Sequence, residues 1–501
     1  SSILNLLAAI TLFASESFTK TISFAGFGLD IVLVTNELSS LFVLLVAIMF
    51  LFVCFYAAFF LKQKKQFNIF MLYMYLSLAM INGAIFSDSL GILLFFWEGL
   101  LCTLLGMLLI NNTANPKAAI KALVLSGTAD LLLMLGIILT AYQAKTMLIS
   151  EIQPIAINGF VPTLGFFCMF FGAIGKAGSM PFHSWIPEAA NDATTPFLVA
   201  FPGALEKLAG IYLAVVVTTR IYDFQPHSTI SYIVMTIGLL SLLFAVAMAL
   251  IQKDMKRLLS YHAISQVGYM VLGIGTGLPI GIVGAVFHML NNAVFKSCLY
   301  MCAGSVELQT GSTDLRKFGG LGKFMPITAI CFTLCALSIS GVPPFCGFFS
   351  KELLFDAALE SNIVFYIGAL LGAFMTAISF LKMGRAAFGG KLKLPIDKKN
   401  VTESPAGILI PIIALSLICV FLGLFNSIPL DGLINKGLGI EQSFSGWPHS
   451  FLLVAISLVV LGLAVVNHFY GSKKSGGALQ AADHIHYAPV LKMIYAVEEK
   501  G

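Results

Sequence analysis

The sequence predicts an all-α polytopic membrane protein, and three observations support this fold class. Of its 501 residues, 58% are hydrophobic and 11% are charged, whereas a soluble domain is about half apolar and about a quarter charged. Apolar runs such as Leu38–Leu61, Ser89–Ile110 and Phe451–Phe469 approach or exceed the roughly 20 residues that a spanning helix requires. Ten-residue strand patterns of alternating polarity are absent, which argues against an outer-membrane barrel.

Hydropathy and charged loops together predict about fourteen transmembrane crossings. They fall near 1–14, 38–61, 69–86, 89–110, 117–142, 164–188, 193–219, 230–251, 258–276, 279–304, 325–358, 363–384, 405–426 and 449–470. This count puts all the basic loops on one side, which the positive-inside rule predicts to be the cytoplasmic side of the inner membrane. The basic loops contain Lys62–Lys65, Lys117 with Lys121, Lys253–Arg257, Arg316–Lys323 and Arg385–Lys399. The chain opens without Met inside an apolar stretch, so we expect an earlier helix to precede it, and a cleaved signal peptide is the alternative.

Two crossings contain helix breakers at mid-membrane depth. The stretch Gly175–Pro181 interrupts the sixth crossing, and the eleventh contains Gly341, Pro343 and Pro344. Treating each segment as one discontinuous helix keeps the basic loops on one side. The two broken helices lie five crossings apart and therefore enter the membrane in opposite directions. Such a pair predicts two inverted five-helix repeats, helices 3–7 and 8–12, with the conduction site at the breaks.

The loops between these groups of helices suggest four regions. Residues 1–88 form N-terminal transmembrane helices, and 89–222 form the first of the two repeats, with a start near 69 as the alternative. Residues 223–390 form the second repeat. Residues 391–501 form C-terminal transmembrane helices and an amphipathic tail around Tyr487–Tyr495.

Ionisable side chains inside the predicted crossings are the candidate functional residues. Each costs about a few kcal/mol at that depth unless it is paired or hydrated, so the default interpretation is an ion or proton path. A structural ion pair, or a side chain that reaches the membrane surface, is the alternative for any one of them alone. The residues are Glu98, Lys176 at the first break, Glu206, Lys207, His288, Lys296, and Lys351 beside the second break.

A pair formed by Glu98 and Lys176 would supply suitable chemistry. A lysine tends to lose its proton in apolar surroundings and to keep it beside a carboxylate. We therefore expect that formation and separation of this pair moves Lys176 between proton-holding and proton-releasing states. A histidine titrates near neutrality and suits a relay at His288.

Other chemistry has little support in the sequence. Gly273–Gly277 resembles a glycine-rich loop but lacks the Lys-Ser/Thr of a phosphate-binding motif, and no Walker motif or nucleophile–base set is present. The nine cysteines lie in apolar segments without a CxxC pair, so we expect them to be packing residues. His484 and His486 could bind a metal, but two histidines in a polar tail more often bind nothing. We therefore expect no metal site, and the net charge of +5 gives no indication of nucleic-acid binding.

Five motifs, taken in order, resemble the antiporter-like subunit family. This family includes the proton-pumping membrane subunits of respiratory complex I, the energy-converting membrane-bound hydrogenases and the large subunits of multisubunit Na⁺/H⁺ antiporters. The resemblance spans roughly residues 30–425. The motifs are Phe95–Glu98, Gly175-Lys176 with Pro181 and Trp185, Gln252–Tyr261, His288–Lys296, and Gly341–Phe345 with Gly347–Glu352.

The resemblance implies roles for the buried charges. It implies a glutamate–lysine pair at Glu98 and Lys176 in one of two inverted repeats. Lys296 matches the lysine between the two half-channels, and Lys351 matches the terminal lysine that exchanges protons with the outside. His288 matches a family histidine on the same helix as Lys296.

Three further positions are compared with the family pattern, and two of them depart from it. Asp130 resembles a family aspartate used for coupling or ion access. Asn292 stands where family members often have a second histidine, and an asparagine carries no proton. Lys207, next to Glu206, is about one position from where the resemblance places the bridging lysine, and one residue turns a helix by about 100°.

These features predict a proton-translocating subunit of a redox-driven complex, either an energy-converting hydrogenase or a complex-I-like assembly. We expect a translocase subunit without a redox centre of its own, with Fe–S clusters and NiFe or flavin in partner subunits. The expected partners are other membrane subunits, peripheral redox subunits, lipid and H⁺, without nucleic acid. The alternatives are a multisubunit Na⁺/H⁺ antiporter, Na⁺ translocation by a redox complex, and a membrane scaffold with structural ion pairs. Lysines favour H⁺ because carboxylates are the better ligands for Na⁺.

Overall fold

The structure is a computed structural model that describes residues 1–15, 17–24, 29–62, 64–111, 116–391, 401–448 and 450–479. The predicted amphipathic segment of the tail, with His484 and His486, lies outside the described residues. Within them the chain is mainly helical. Two short pairs of strands accompany the helices.

We number the helices in chain order. They are α1 (Ser2–Ala14), α2 (Glu37–Phe60), α3 (Phe67–Phe86), α4 (Leu90–Asn111), α5 (Lys117–Ala144), α6 (Phe160–Ala177), α7 (Trp185–Asp192), α8 (Thr195–Ile221), α9 (Thr229–Ile251), α10 (Met255–Gly275), α11 (Pro279–Thr310), α12 (Pro326–Ser340), α13 (Cys346–Ser361), α14 (Ile363–Ala387), α15 (Ala406–Leu424), α16 (427–438) and α17 (Phe451–Lys474). Strands β1 (Phe18–Phe24) and β2 (Leu29–Thr35) form an antiparallel hairpin. Strands β3 (Ile155–Ala156) and β4 (Tyr222–Asp223) pair in parallel.

Eleven described helices are long and apolar enough to cross a membrane. The predicted class, an all-α polytopic membrane protein, is therefore confirmed. The count of fourteen crossings stays a prediction. Helices α1 and α12 are apolar but shorter than the eleven, and α10 has sufficient length but carries polar residues along it.

Backbone bridges between loops show which loops lie at the same end of the helices. At one end, Asp254 and Asp314 form a bridge between the loop before α10 and the loop before α12. At the other end, Leu33 of the hairpin pairs with Ser87, and Ser89 pairs with Leu148. We call the first end the basic side, because the described residues of the Lys/Arg-rich loops named above lie there, and the second end the opposite side.

The Gln252–Tyr261 motif has a structural role on the basic side. The Asp254 carboxylate caps α10 by accepting the backbone N–H groups of Lys256 at 2.9 Å and Arg257 at 3.1 Å. The Lys256 ammonium also forms an ion pair with Glu307 near the end of α11, at 3.0 Å. The motif therefore connects the start of α10 to the end of α11.

Glycines bring helix backbones into direct contact. A Cβ atom at Gly210 of α8 would lie 2.5 Å from the Ala177 nitrogen and 2.6 Å from the Ala173 carbonyl oxygen of α6. A Cβ atom at Gly238 of α9 would lie 2.5 Å from the Leu272 nitrogen of α10. Such approaches are typical of membrane helices, where small residues allow close packing.

Both predicted helix breaks are present. Helix α6 ends before Gly178, whose φ is +88°, and α12 ends before Gly341, whose φ is +85°. Glycine adopts this left-handed conformation at little cost, so it stops each helix inside the bundle. The second half of each segment is then supplied by α7 and α13. The prediction of one discontinuous helix in each repeat is confirmed.

Candidate ion-translocation site

In the first repeat, Lys176 is bonded to Asp130. The Lys176 Nζ lies 2.8 Å from Asp130 Oδ2, and both side chains are 1% exposed. The indole N–H of Trp97 donates to the other carboxylate oxygen at 2.9 Å, and the Trp97 ring centroid is 5.4 Å from the ammonium. Both buried charges are therefore compensated, as stability in an apolar core requires.

The structure gives Lys176 a carboxylate other than the predicted one. In the described chain, its ion pair is with Asp130, and no ion pair within 4.0 Å involves Glu98. The reason is helix rotation. Trp97 is buried and faces Asp130, and the next residue on α4 is turned by about 100°, which leaves Glu98 half-buried on the flank of the pair. Glu98 is still close enough for its charge to interact with those of Asp130 and Lys176.

Lys207 is enclosed by protein on α8. Its ammonium donates to the Pro202 carbonyl oxygen at 2.5 Å. Pro202 lies in a π-helical turn, Phe201–Leu205, and a π turn accommodates one residue more than an α turn. This extra residue gives a physical reason for the one-position offset of Lys207 noted in the sequence. Pro202, inside the crossing predicted at 193–219, was an available signal for an irregular turn that the sequence analysis did not use.

Glu206 connects the first ion pair to Lys207. Its carboxylate is buried, and its charge interacts with those of Lys176, Lys207 and Asp130. The sequence placed Glu206 in the membrane but gave it no role. The position between two lysines suits a residue that receives a proton from one and passes it to the other.

Lys296 is fully buried on α11. Its ammonium donates to the Leu259 carbonyl oxygen of α10 at 3.1 Å and lies 5.9 Å from the Phe380 ring centroid. Among the described residues, no carboxylate lies within 4.0 Å of it. Its charge is close enough to interact with that of Lys207. Lys207 and Lys296 thus lie on either side of the predicted boundary between the repeats, and their charges interact across it.

His288 lies in a hydrogen-bonded chain between α10 and α13. Its Nε2 is 3.1 Å from the Gln266 Oε1, and its Nδ1 is 2.9 Å from the Ser350 Oγ. Because an amide oxygen only accepts, Nε2 carries a hydrogen, and in the neutral ring Nδ1 then accepts from the Ser350 hydroxyl. This neutral ring has a basic nitrogen directed at the residue before Lys351.

Lys351 lies shortly after the second break. The ammonium donates to the Ile339 carbonyl oxygen at 2.7 Å and lies 5.0 Å from the Tyr269 ring centroid. That carbonyl is free to accept because α12 ends one residue later, at Ser340. The break therefore supplies the acceptor for the buried lysine.

Sequence analysis missed His262, although a histidine inside the crossing predicted at 258–276 was an available signal. His262 is fully buried, and its Nε2 is 2.8 Å from the Ser379 Oγ. The ring lies 4.6 Å from that of Phe380, and its charge would interact with that of Lys296. The buried ionisable groups from Lys176 to Lys351 form what we call the polar axis. His262 is therefore a second histidine of this axis, on α10 rather than α11.

Lys382 was missed for a similar reason, because it lies within the crossing predicted at 363–384. The buried ammonium donates to the Gln252 carbonyl oxygen at 2.8 Å and to the Leu250 carbonyl oxygen. Both carbonyls belong to the end of α9 on the basic side. Lys382 therefore lies between the polar axis and that surface.

The described residues contain no group of three or more His, Cys, Asp or Glu side chains that could hold a metal ion. The cysteines are free thiols. The site consists of lysines, carboxylates, histidines and their hydrogen-bond partners, which exchange protons rather than electrons.

Comparison with known proteins identifies the family. A family model described as "NADH:quinone oxidoreductase/Mrp antiporter, TM" matches residues 87–378. NADH-quinone oxidoreductase subunit L of Campylobacter jejuni is 35% identical over 379 residues, covering 73% of this chain and 61% of that protein. One of the Na⁺/H⁺ antiporter subunits of Alkalihalophilus pseudofirmus is 30% identical over 405 residues, covering 80% of this chain and 81% of that protein.

The fold is also found in a solved structure. The Mrp complex from Dietzia sp. contains a chain that superposes with a TM-score of 0.82 at 22% identity, covering 99% of this chain and 55% of that one. This chain thus spans less than two thirds of the Dietzia chain and less than two thirds of the Campylobacter subunit. Because the family match contains Glu98, Asp130, both helix breaks and every buried lysine from Lys176 to Lys351, the chain belongs to the transmembrane family shared by NADH:quinone oxidoreductases and Mrp antiporters.

Proposed function

We propose that this chain is a proton-translocating, antiporter-like subunit of a redox-driven membrane complex. The observation that supports this most is the succession of buried ionisable groups through both repeats. They are Asp130 with Lys176, Glu206 with Lys207, Lys296 with His262, and His288 with Lys351. Such groups are costly in a membrane and are retained where ions move.

Electrostatic coupling would carry the signal between the repeats. Lys207 and Lys296 are close enough for their charges to repel each other. When one lysine loses its proton, the other therefore holds its own more firmly. Opening of the Asp130–Lys176 pair would change the charge near Glu206 and Lys207 and start this alternation.

The proton would leave from Lys351 towards the opposite side. Lys351 and its neighbour Glu352 line one small cavity beside the second break. Glu352 also lines a second cavity of about 130 Å³, together with Asp356 and the loop segment 442–448. That loop precedes α17 and lies on the opposite side, so Glu352 connects the lysine to this surface.

The energy would come from other subunits. This chain supplies lysines, carboxylates and histidines, whereas Fe–S clusters with a NiFe or flavin centre in peripheral partners would supply electron transfer. The likeness to subunit L of a NADH-quinone oxidoreductase supports this assignment. The basic side would face the cytoplasm, and the membrane would be the inner, cytoplasmic one.

An alternative is a subunit of a multisubunit Na⁺/H⁺ antiporter. The likeness to the Alkalihalophilus antiporter protein covers most of both chains, which favours it. Purification separates the two proposals. Co-purified iron–sulfur subunits indicate the redox complex, and small hydrophobic subunits alone indicate the antiporter.

Transport by the whole complex in sealed vesicles tests the function. We expect substrate oxidation to drive H⁺ uptake without Na⁺, and a protonophore to abolish the gradient. Lys351→Ala should abolish the uptake, because the terminal buried ammonium is lost. Full pumping by Lys351→Ala or Lys176→Ala would contradict the proposed path, and uptake that requires Na⁺ would contradict the choice of ion.

A further inference from the structure

An apolar groove opens on the lipid-facing surface between α12, α14 and α17. Its volume is about 450 Å³, and apolar side chains line most of it. The groove is open because small side chains line it. On α12 these are Ala329, Thr333 and Ala336, and on α14 the groove is lined by Ala377 and Gly384.

The groove follows one half of the membrane. One end lies at Gly322 and Gly389, beside the basic-side loops, and the other end lies at Val342, next to the second helix break. It therefore spans the basic-side leaflet from the membrane surface to its middle. This length and polarity match an acyl chain, and an empty apolar groove of this size would lose the packing contacts of its lining.

A cation lies at the surface end of the groove. Arg385, in the last turn of α14, lines it, and one face of the guanidinium lies 4.6 Å from the Phe469 ring centroid of α17. Its Nη1 is buried and has no hydrogen-bond partner among the described residues. A buried guanidinium N–H without an acceptor is costly, and phosphate oxygens are well-matched acceptors for it.

We propose that this groove binds one anionic phospholipid of the basic-side leaflet. One acyl chain fills the groove, and the phosphate accepts from Arg385. The cation and the apolar groove together select this occupant. A neutral apolar molecule would leave the guanidinium unpaired, and a zwitterionic lipid carries an ammonium that opposes the charge of Arg385. The proposal does not depend on which ion the chain transports.

The bound acyl chain would also cover one side of the polar axis. Phe380 forms part of the groove lining. The same ring lies 4.6 Å from the His262 ring centroid and 5.9 Å from the Lys296 ammonium. The ring therefore contacts the groove and the polar axis at once, so an acyl chain packed on it would exclude water from that side.

Native mass spectrometry of the purified complex tests the proposal. The complex is delipidated in detergent and titrated with phosphatidylglycerol or phosphatidylcholine of identical chains. We expect one phosphatidylglycerol per copy of this chain to bind more tightly than the others. Ala336→Phe should abolish this tight site by filling the groove. Arg385→Gln should reduce the preference for phosphatidylglycerol over phosphatidylcholine about tenfold, and Arg385→Lys should restore part of this preference.

Leu371→Phe is the matched control for the groove variant. Leu371 lies on α14 and is exposed to lipid away from the groove, so the tight site should remain. Thermal unfolding of each variant shows whether it is folded. Equal phosphatidylglycerol binding by wild type and folded Ala336→Phe would overturn the proposal. Cross-linking of Thr333→Cys to another subunit, with no tight lipid, would overturn it in favour of a protein occupant.

Discussion

At the scale of single residues, the buried lysines differ in the acceptor that they bond. Lys176 is bonded to a carboxylate, whereas Lys207, Lys296 and Lys351 each donate to a backbone carbonyl. A neutral amine still donates to a carbonyl, so these three keep a hydrogen bond after they release a proton. A carboxylate instead stabilises the charged ammonium. Lys176 therefore holds its proton while its pair with Asp130 is closed and can release it only when the pair opens, whereas the other three can exchange theirs without losing an ion pair.

The Asp130–Lys176 pair gives the first residue-scale prediction. Asp130→Asn should destabilise the protein by about 3–5 kcal/mol, because it leaves the Lys176 charge buried without its partner. Adding Lys176→Met should restore most of the stability but not transport. Thermal unfolding and H⁺ uptake measure the two effects.

Glu98→Gln is the control for this prediction. Glu98 is half-buried and outside the pair, so the loss of stability should be much smaller. A loss as large as that of Asp130→Asn would show that Glu98 is the structural partner of Lys176.

His262 gives a second prediction. Glutamine at this position keeps a polar contact with Ser379 but carries no proton, so His262→Gln should reduce H⁺ uptake at least about tenfold with little loss of stability. His227→Gln, on an exposed loop, is the control and should pump normally. Unchanged uptake in His262→Gln would remove this residue from the path.

At the scale of elements, the helix breaks turn backbone groups into acceptors. The break after α12 leaves the Ile339 carbonyl to Lys351, and the π turn of α8 brings the Pro202 carbonyl to Lys207. An uninterrupted helix would use such carbonyls in its own hydrogen bonds. Departures from regular helix therefore position Lys207 and Lys351, whereas the acceptor of Lys296 lies inside the continuous helix α10.

Gly341→Ala tests this at the element scale. A Cβ atom there would lie 3.1 Å from the Lys351 Cδ, on a backbone with φ of +85°. We expect a loss of about 1–2 kcal/mol from backbone strain and a further loss of transport from displacement of Lys351. Gly311→Ala, with φ of +69° and no atom within 4 Å, is the matched control and should show the strain alone. Normal transport in folded Gly341→Ala would show that the helix break at Gly341 is not needed to position Lys351.

At the scale of the whole molecule, the charged loops define an orientation. Lys253 lies on the basic side and Asp30 on the hairpin of the opposite side, and both are exposed. Lys253→Cys should therefore react with a membrane-impermeant maleimide only from the cytoplasm, and Asp30→Cys only from outside. Labelling of both after detergent treatment is the control for reactivity. Labelling of both from the same side would contradict the alternating topology.

The sequence predicted the elements better than their contacts. The breaks were predictable because Gly178, Gly341 and the nearby prolines are local signals with a local effect. The partner of Lys176 was not, because it depends on the relative rotation of α4, α5 and α6, which no single segment encodes. The π turn was not predicted either, although Pro202 within it is a local signal of an irregular helix.

The glycine contact between α6 and α8 has a consequence for the timescale of conduction. Gly210 lies one turn after Lys207, and its backbone rests against that of Ala177, the residue after Lys176. The two lysines are therefore mounted on helices that have no room to slide past each other. Transfer between their side chains would then be set by rotamer changes and transient hydration, and not by microsecond-to-millisecond helix shifts. The slow step would lie outside this pair of helices.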